Sequence, residues 1–381
     1  MIKAPFNFVP CAPDVFFPTW ASKVSQDIPF SGELSGTIKI IIKAETPIFI
    51  RNGHNLNHED NTFSHINLNG KNQYFIPATS IKGCIRSVLE MMSFGKLKPV
   101  SDSKVEGNDI VYQFTPKDLA EERVIESAKK QGKNKDSLDL AECIFGFVNK
   151  TDSIKGRVQF SNCVCKKLVP MPPNNDLFEL VLSSPHPENL PIYIKQYGDE
   201  YYSYDDEGSK LNGWKRYVLR NSYWTKKPGK KDDTKSLFKP LNKGSVFEGV
   251  IRYHNLKAEE LGALLCALTW HGEANCYHSI GQAKPFGFGR IKITIDENSL
   301  VVASSYIGIF ESMMKDWLQS LSRKPNWRYH FMIKELFLLG SEIININNSN
   351  FQYMQGKDSK NAKKNWDYLK KFSKLIEEIE L

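Results

Sequence analysis

The sequence predicts an α+β fold with a ferredoxin-like, RNA-recognition-like βαββαβ core, and three observations predict it. Ile38, Ile40 and Ile42 fall on one face of an extended segment, and Ile291, Ile293 and Ile295 alternate with Lys292, Thr294 and Asp296, the period of half-buried strands. Two other stretches, 81–92 and 261–268, carry their apolar residues at helical spacing. In chain order the regular elements run strand, helix, strand, strand, helix, strand, the split β-α-β unit of an antiparallel sheet with two helices on one face.

Composition narrows the class. At 381 residues and 41% apolar content the chain is globular and long enough for a substantial core. A formal charge of +8 permits a polyanionic partner without the extreme basic tail of a dedicated nucleic-acid arm. Seven cysteines without a CxxC pair or a signal peptide fit reduced thiols in the cytoplasm. No run of about 18 apolar residues is present, so no membrane span is expected.

Residues 1–35, rich in Pro and aromatics, read as an extended arm before the first strand, "GTIKIIIKAETPIFI" (36–50). The polar segment 51–70 carries His54, His58, Glu59, Asp60 and His65 and reads as a long loop. Ile81, Cys84, Ile85, Val88, Leu89 and Met92 then mark an amphipathic helix, with Thr79 or Ser80 as its N-cap and Gly95 closing it. Lys82 and Arg86 lie four apart in its first turns, where positive charge opposes the helix dipole unless an anion docks there.

Residues 98–140 are charged and poor in apolar residues, and read as an insertion that protrudes or is partly disordered. "GRVQFSNCVC" (156–165) is strand-like, with Cys163 and Cys165 as small buried hydrophobes rather than a metal pair. A second insertion, about 166–245, encloses "LNGWKRYVLRNSYW", in which Trp214, Lys215, Arg216 and Tyr217 interleave aromatics with cations, a pattern suited to stacking bases while neutralising phosphates.

Order returns with the alternating strand 245–256 and the helix 257–270, whose Leu261, Leu264, Leu265 and Leu268 form one stripe. "GQAKPFGFGRIKI" (281–293) follows, with Gly281, Gly287 and Gly289 feeding a strand. Such glycines admit positive φ and bring backbone amides near an anion. A P-loop has different glycine spacing and leads into a helix, and the dinucleotide fingerprint fails at Lys292. The RNA-recognition strand pattern comes nearer, since Gly287, Phe288 and Gly289 fit it. Residues 301–381 read as a helical extension, including a stripe of Trp366, Leu369, Phe372, Leu375, Ile376 and Ile379.

Four segments together resemble the RAMP superfamily of CRISPR-associated proteins: "IPATSIKGCIRSVLEMMSFGKL" (76–97), "IFGFVNKTDSIKGRVQFSN", "LNGWKRY" and "HSIGQAKPFGFGRIKI". The N-terminal "APFNFVP" and "DIPFSGELSGTIKIIIKAETPIFIRNG" look like one type III-associated branch, so the resemblance covers most of 4–296. It implies a RAMP domain over 1–300, with 301–381 apart, acting as a guide-RNA-binding subunit of a type III effector ribonucleoprotein in antiviral defence. Its partners would be guide RNA, target RNA and other CRISPR effector subunits, with no cofactor, metal or membrane. Carried onto this chain, Lys82 and Arg86 would contact phosphates, and Gly281, Lys284, Gly287, Gly289 and Arg290 would cradle the backbone opposite. Ala78 and Thr79 stand where the family favours Gly and Ser.

Two further readings stay open. Some RAMP subunits cleave RNA through an acidic residue after the first strand, which makes Asp60 a catalytic candidate, and guide-processing members use histidine, which makes His278 another. The chain would then be a metal-independent endoribonuclease. Alternatively it keeps the fold and serves as an RNA-free interaction scaffold.

Overall fold

The computed structural model describes residues 5–53, 61–98, 116–149, 152–173, 176–182, 190–196, 202–225 and 235–342. The N-terminal segment supplies β1 (Phe6–Val9) before the long strand β2 (Leu34–Ala44). A hairpin of β3 (His65–Leu68) and β4 (Lys71–Ile76) leads into helix α1 (Ala78–Met92). The first insertion holds α2 (Pro116–Lys130) and runs into α3 (Leu140–Phe145), β5 (Gly146–Val148), β6 (Ser153–Lys155), β7 (Val158–Phe160) and β8 (Cys163–Lys167). The second contributes β9 (Phe178–Val181), α4 (Leu190–Tyr193), β10 (Trp214–Tyr217) and β11 (Lys235–Phe238). Then come β12 (Val246–Leu256), α5 (Ala258–Thr269), β13 (His278–Ser279), β14 (Arg290–Ile295), α6 (Glu297–Ser320) and α7 (Phe331–Gly340).

The main sheet is antiparallel throughout, in the order β13-β14-β2-β12-β8-β4-β3, with β7 also on β12. The register explains why one face is apolar: Ile42 stands opposite Phe247 and Ile293, and Ala44 opposite Ile291. α1 and α5 cover that face with Ile81, Ile85, Val88, Leu89, Leu261, Leu264 and Leu268. Lys39, Ile41 and Lys43 point the other way into solvent. The expected strands lie side by side in the order β14-β2-β12-β8.

Three local expectations change. α1 starts at Ala78 with Pro77 as N-cap, so Thr79 and Ser80 lie inside its first turn rather than at the cap; the Ala78 N–H instead donates to Asn162 Oδ1 at 2.9 Å. Residues 116–130 of the first insertion do not protrude but form α2, which holds the N-terminal arm: Arg123 Nε donates to the Ala12 carbonyl at 2.6 Å, and the Val15 N–H to Ser127 Oγ at 2.7 Å. The arm itself contributes β1, paired antiparallel with β10 from the second insertion.

α6 and α7 pack into the same apolar cluster as the sheet, through Phe310, Met314, Leu318, Trp327 and Leu336. Gly262 lets α5 and α6 approach: a Cβ there would sit 2.0 Å from the Tyr306 carbonyl oxygen. The expected division at residue 300 therefore falls inside one continuous core, while Trp366 and its stripe lie outside the described residues. Among the described residues, no helix is long and apolar enough to cross a membrane.

Candidate nucleic-acid interface

Segments some two hundred positions apart meet at the start of α1. Cys84 Sγ lies 3.8 Å from the Ser279 carbonyl oxygen, so the face of α1 carrying Cys84 abuts the strand entering the glycine loop, while Lys82, two residues earlier, lies on another face. Lys82 is half-buried beside Gly156, where a Cβ would be 3.4 Å from its Nζ. Burial, and secondarily the neighbouring Arg86, push its pKa down. Arg86 is spent internally: Nε donates to Glu90 Oε1 at 2.8 Å and Nη1 to the Gly146 carbonyl at 2.9 Å.

The glycines of the loop do not open an amide cradle for phosphate. Gly281, Gly287 and Gly289 have φ of 82°, 86° and 80°, and a Cβ would meet backbone oxygens of Phe49 at 2.2 Å, Ser222 at 2.4 Å and Ile280 at 1.9 Å. Their smallness is used against the protein itself. The amides are consumed likewise: Gln282 N–H donates to Phe49 O, Gly287 to Lys284 O, Gly289 to Pro47 O and Arg290 to Thr46 Oγ1. Phe288 is buried among Phe178, Tyr223 and Phe238, not presented to a base.

Arg290 corrects its expected role. It is 4% exposed, pairs through Nη1 with Glu342 Oε1 at 3.0 Å, and lies 4.8 Å from the Tyr277 ring centroid. By alternation Arg290 shares the face of Lys292 and Thr294, opposite the core isoleucines, and is buried there under Tyr277 and Glu342.

β10 sorts its four residues. Trp214 is buried in the core. Lys215 Nζ sits 3.9 Å over the Phe6 ring and donates to Tyr193 Oη at 3.0 Å, burial pushing its pKa down to about 8. Tyr217 packs edge-on to Phe6 at 6.3 Å. The expected stacking platform is thus occupied by protein. Arg216 is different: its guanidinium lies 5.6 Å from the Trp270 ring centroid, and it has no acidic partner among the described residues.

Arg216 and Lys284 both act electrostatically on the Cys84 thiol. Burial lowers the pKa of both, and each feels the thiol electrostatically; Lys284 also feels Arg216. Neither makes an ion pair with a carboxylate among the described residues. Two cations partly stripped of water without a counter-charge favour an anion at this place. The sequence reading passed over Arg220, which lies beside Gly287 and 6.0 Å from the Trp224 ring, its pKa pushed down to about 10 by burial.

His278 is a core histidine. It is 1% exposed, its Nε2 is 3.0 Å from the Leu268 carbonyl, and burial pushes its pKa down to about 3. A neutral, enclosed imidazole has no route to a substrate, which removes it as a catalytic candidate. Asp60, with Glu59, His54 and His58, lies outside the described residues; His65 is occupied by the Phe63 carbonyl at 2.8 Å.

The fold is an antiparallel α+β core whose first helix abuts a glycine loop. Residues 41–292 match the family model of the RAMP superfamily, and the chain belongs to that superfamily. Among solved structures it is similar to a chain of a "Type IV-B CRISPR Complex", at 12% identity and a TM-score of 0.33, covering 69% of this chain and 92% of that one. It is also similar to Csc2 of Thermofilum pendens, at 14% identity and a TM-score of 0.35, covering 84% and 91%. No curated protein matches it.

Proposed function

We propose that this chain is a guide-RNA-binding RAMP subunit of a CRISPR effector ribonucleoprotein in the cytoplasm, gripping RNA by its phosphates along the seam of Lys82, Arg216 and Lys284. The observation that carries the reading is that Arg216 and Lys284 both act electrostatically on Cys84 of α1 and, among the described residues, make no ion pair with a carboxylate. Assignment to type III rests on the resemblance of the N-terminal segments; other effector subunits are the protein partners.

Filter binding across a salt series tests it. Arg216→Ala, Lys284→Ala and Lys82→Ala each weaken binding to all RNA sequences alike, and each reduces the slope of log K against log salt by roughly 1. Unchanged affinity in all three variants sinks the proposal and leaves the RNA-free scaffold. An endoribonuclease reading now stands on Asp60 alone, and incubation of labelled RNA with the protein and with Asp60→Ala, in the presence of EDTA, decides it.

A further inference from the structure

A cavity of ≈ 720 Å³ opens between the N-terminal arm and the start of α5, lined by Trp20, Lys23, Ile28, Pro29, Phe30 and Lys257 together with Thr19 and Ser31. That volume falls in the range of small-ligand sites. The lining offers two aromatic rings and two cations and no acidic side chain.

The rings are held in place from behind. Trp20 Nε1 donates to Glu260 Oε1 at 3.1 Å. The Phe30 N–H donates to Asn255 Oδ1 at 2.8 Å, and the Arg157 guanidinium lies 5.4 Å from the Phe30 ring centroid. Lys257 Nζ lies 5.4 Å from the Trp20 centroid and 5.0 Å from the Phe30 centroid, so a cationic ligand would meet a like charge beside both rings. Lys23 adds a second positive charge at the rim. What fits is a flat ring system that stacks on an aromatic face and carries a negative charge.

We propose that this cavity binds a nucleotide unit, its base against Trp20 and Phe30 and its phosphate on Lys23 and Lys257. The site is separate from the seam but within reach of it: Gln26 Nε2 donates to the Lys155 carbonyl at 2.9 Å, and the next residue, Gly156, faces the Lys82 ammonium. The ligand is either a free mononucleotide or one nucleotide of a bound strand.

Calorimetric titration of the full chain with 5′-AMP, 5′-UMP, adenosine and a 5′-phosphorylated trinucleotide tests the assignment. AMP and UMP bind, and adenosine binds at least tenfold more weakly. Lys257→Ala and Lys23→Ala each weaken AMP, and Phe30→Leu lowers its affinity about tenfold. Phe30→Leu and the two lysine variants are used because Trp20→Ala would also strip a hydrogen bond from Glu260. Arg216→Ala and Lys284→Ala leave AMP binding unchanged, which separates this site from the seam. Tighter binding of the trinucleotide than of AMP identifies a strand as the source, and equal affinity a free nucleotide. Absence of AMP binding, equal affinity for adenosine, or indifference to both Lys257→Ala and Phe30→Leu overturns the proposal.

Discussion

Arg157 and Glu260 form an ion pair closed to solvent on both sides, each side chain 0% exposed. The guanidinium also donates to the Cys143 and Asn255 carbonyls, and Trp20 donates to the carboxylate, so the pair ties the N-terminal arm, the end of α3, the end of β12 and the start of α5. Arg157→Met leaves a carboxylate buried without its counter-charge and is expected to cost about 3–5 kcal/mol in urea unfolding. Arg157→Met with Glu260→Leu recovers part of that loss. A single-variant effect under about 1 kcal/mol would contradict the enclosed-charge account.

Gly289→Ala places a Cβ 1.9 Å from the Ile280 oxygen at a φ of 80°. Gly132, also at positive φ, has nothing within 4 Å of such an atom. Thermal melts are expected to show Gly289→Ala losing clearly more than the ~1 kcal/mol scale of a strained but uncrowded site such as Gly132→Ala. Equal losses would mean that the loop is not packed as described.

Arg290→Ala and Lys284→Ala separate structure from binding. Arg290 faces Glu342 inside the protein, so its loss lowers thermal stability and leaves the salt dependence of RNA binding unchanged. Lys284 has no such partner among the described residues, and its loss flattens the salt slope with little effect on melting. The reverse pattern would exchange the two assignments.

Acid sensitivity follows from two histidines. Burial depresses His278 to about 3 and His330 to about 4, against an ordinary value of 6.5. Between those values the unfolded chain binds more protons than the folded one, so stability is complete above about pH 6.5 and is lost progressively as pH falls toward 4. His278→Gln keeps a donor for the Leu268 carbonyl and makes that acid limb shallower. Superimposable limbs for variant and wild type in denaturation midpoints from pH 4 to 7 would rule this out.

Much of the core was legible because its signals are local. The isoleucine alternations fix which faces of β2 and β14 are buried, and the leucine and isoleucine stripes mark α1 and α5, independently of the insertions. The site was legible only in part. A glycine loop next to Arg290 looks the same in sequence whether its amides face a ligand or the Phe49 and Pro47 carbonyls, since those acceptors lie over two hundred positions away. In "WKRY", only the pairing with β1 decides that Lys215 and Tyr217 rest on Phe6 while Arg216 turns to Trp270. Cation clusters with no acid nearby are a property of three dimensions, and Arg220 carries no motif at all.

The pairing of β1 with β10 has a bearing on biosynthesis. Phe6–Val9 must wait for Trp214–Tyr217, some two hundred residues later, before its hydrogen bonds can close, and β2 waits likewise for β12 and β14. Throughout elongation the nascent polypeptide therefore carries unpaired, isoleucine-rich strand edges outside the ribosome. Yield in a heterologous host should accordingly respond to chaperone supply and translation speed more than to the stability of the finished fold.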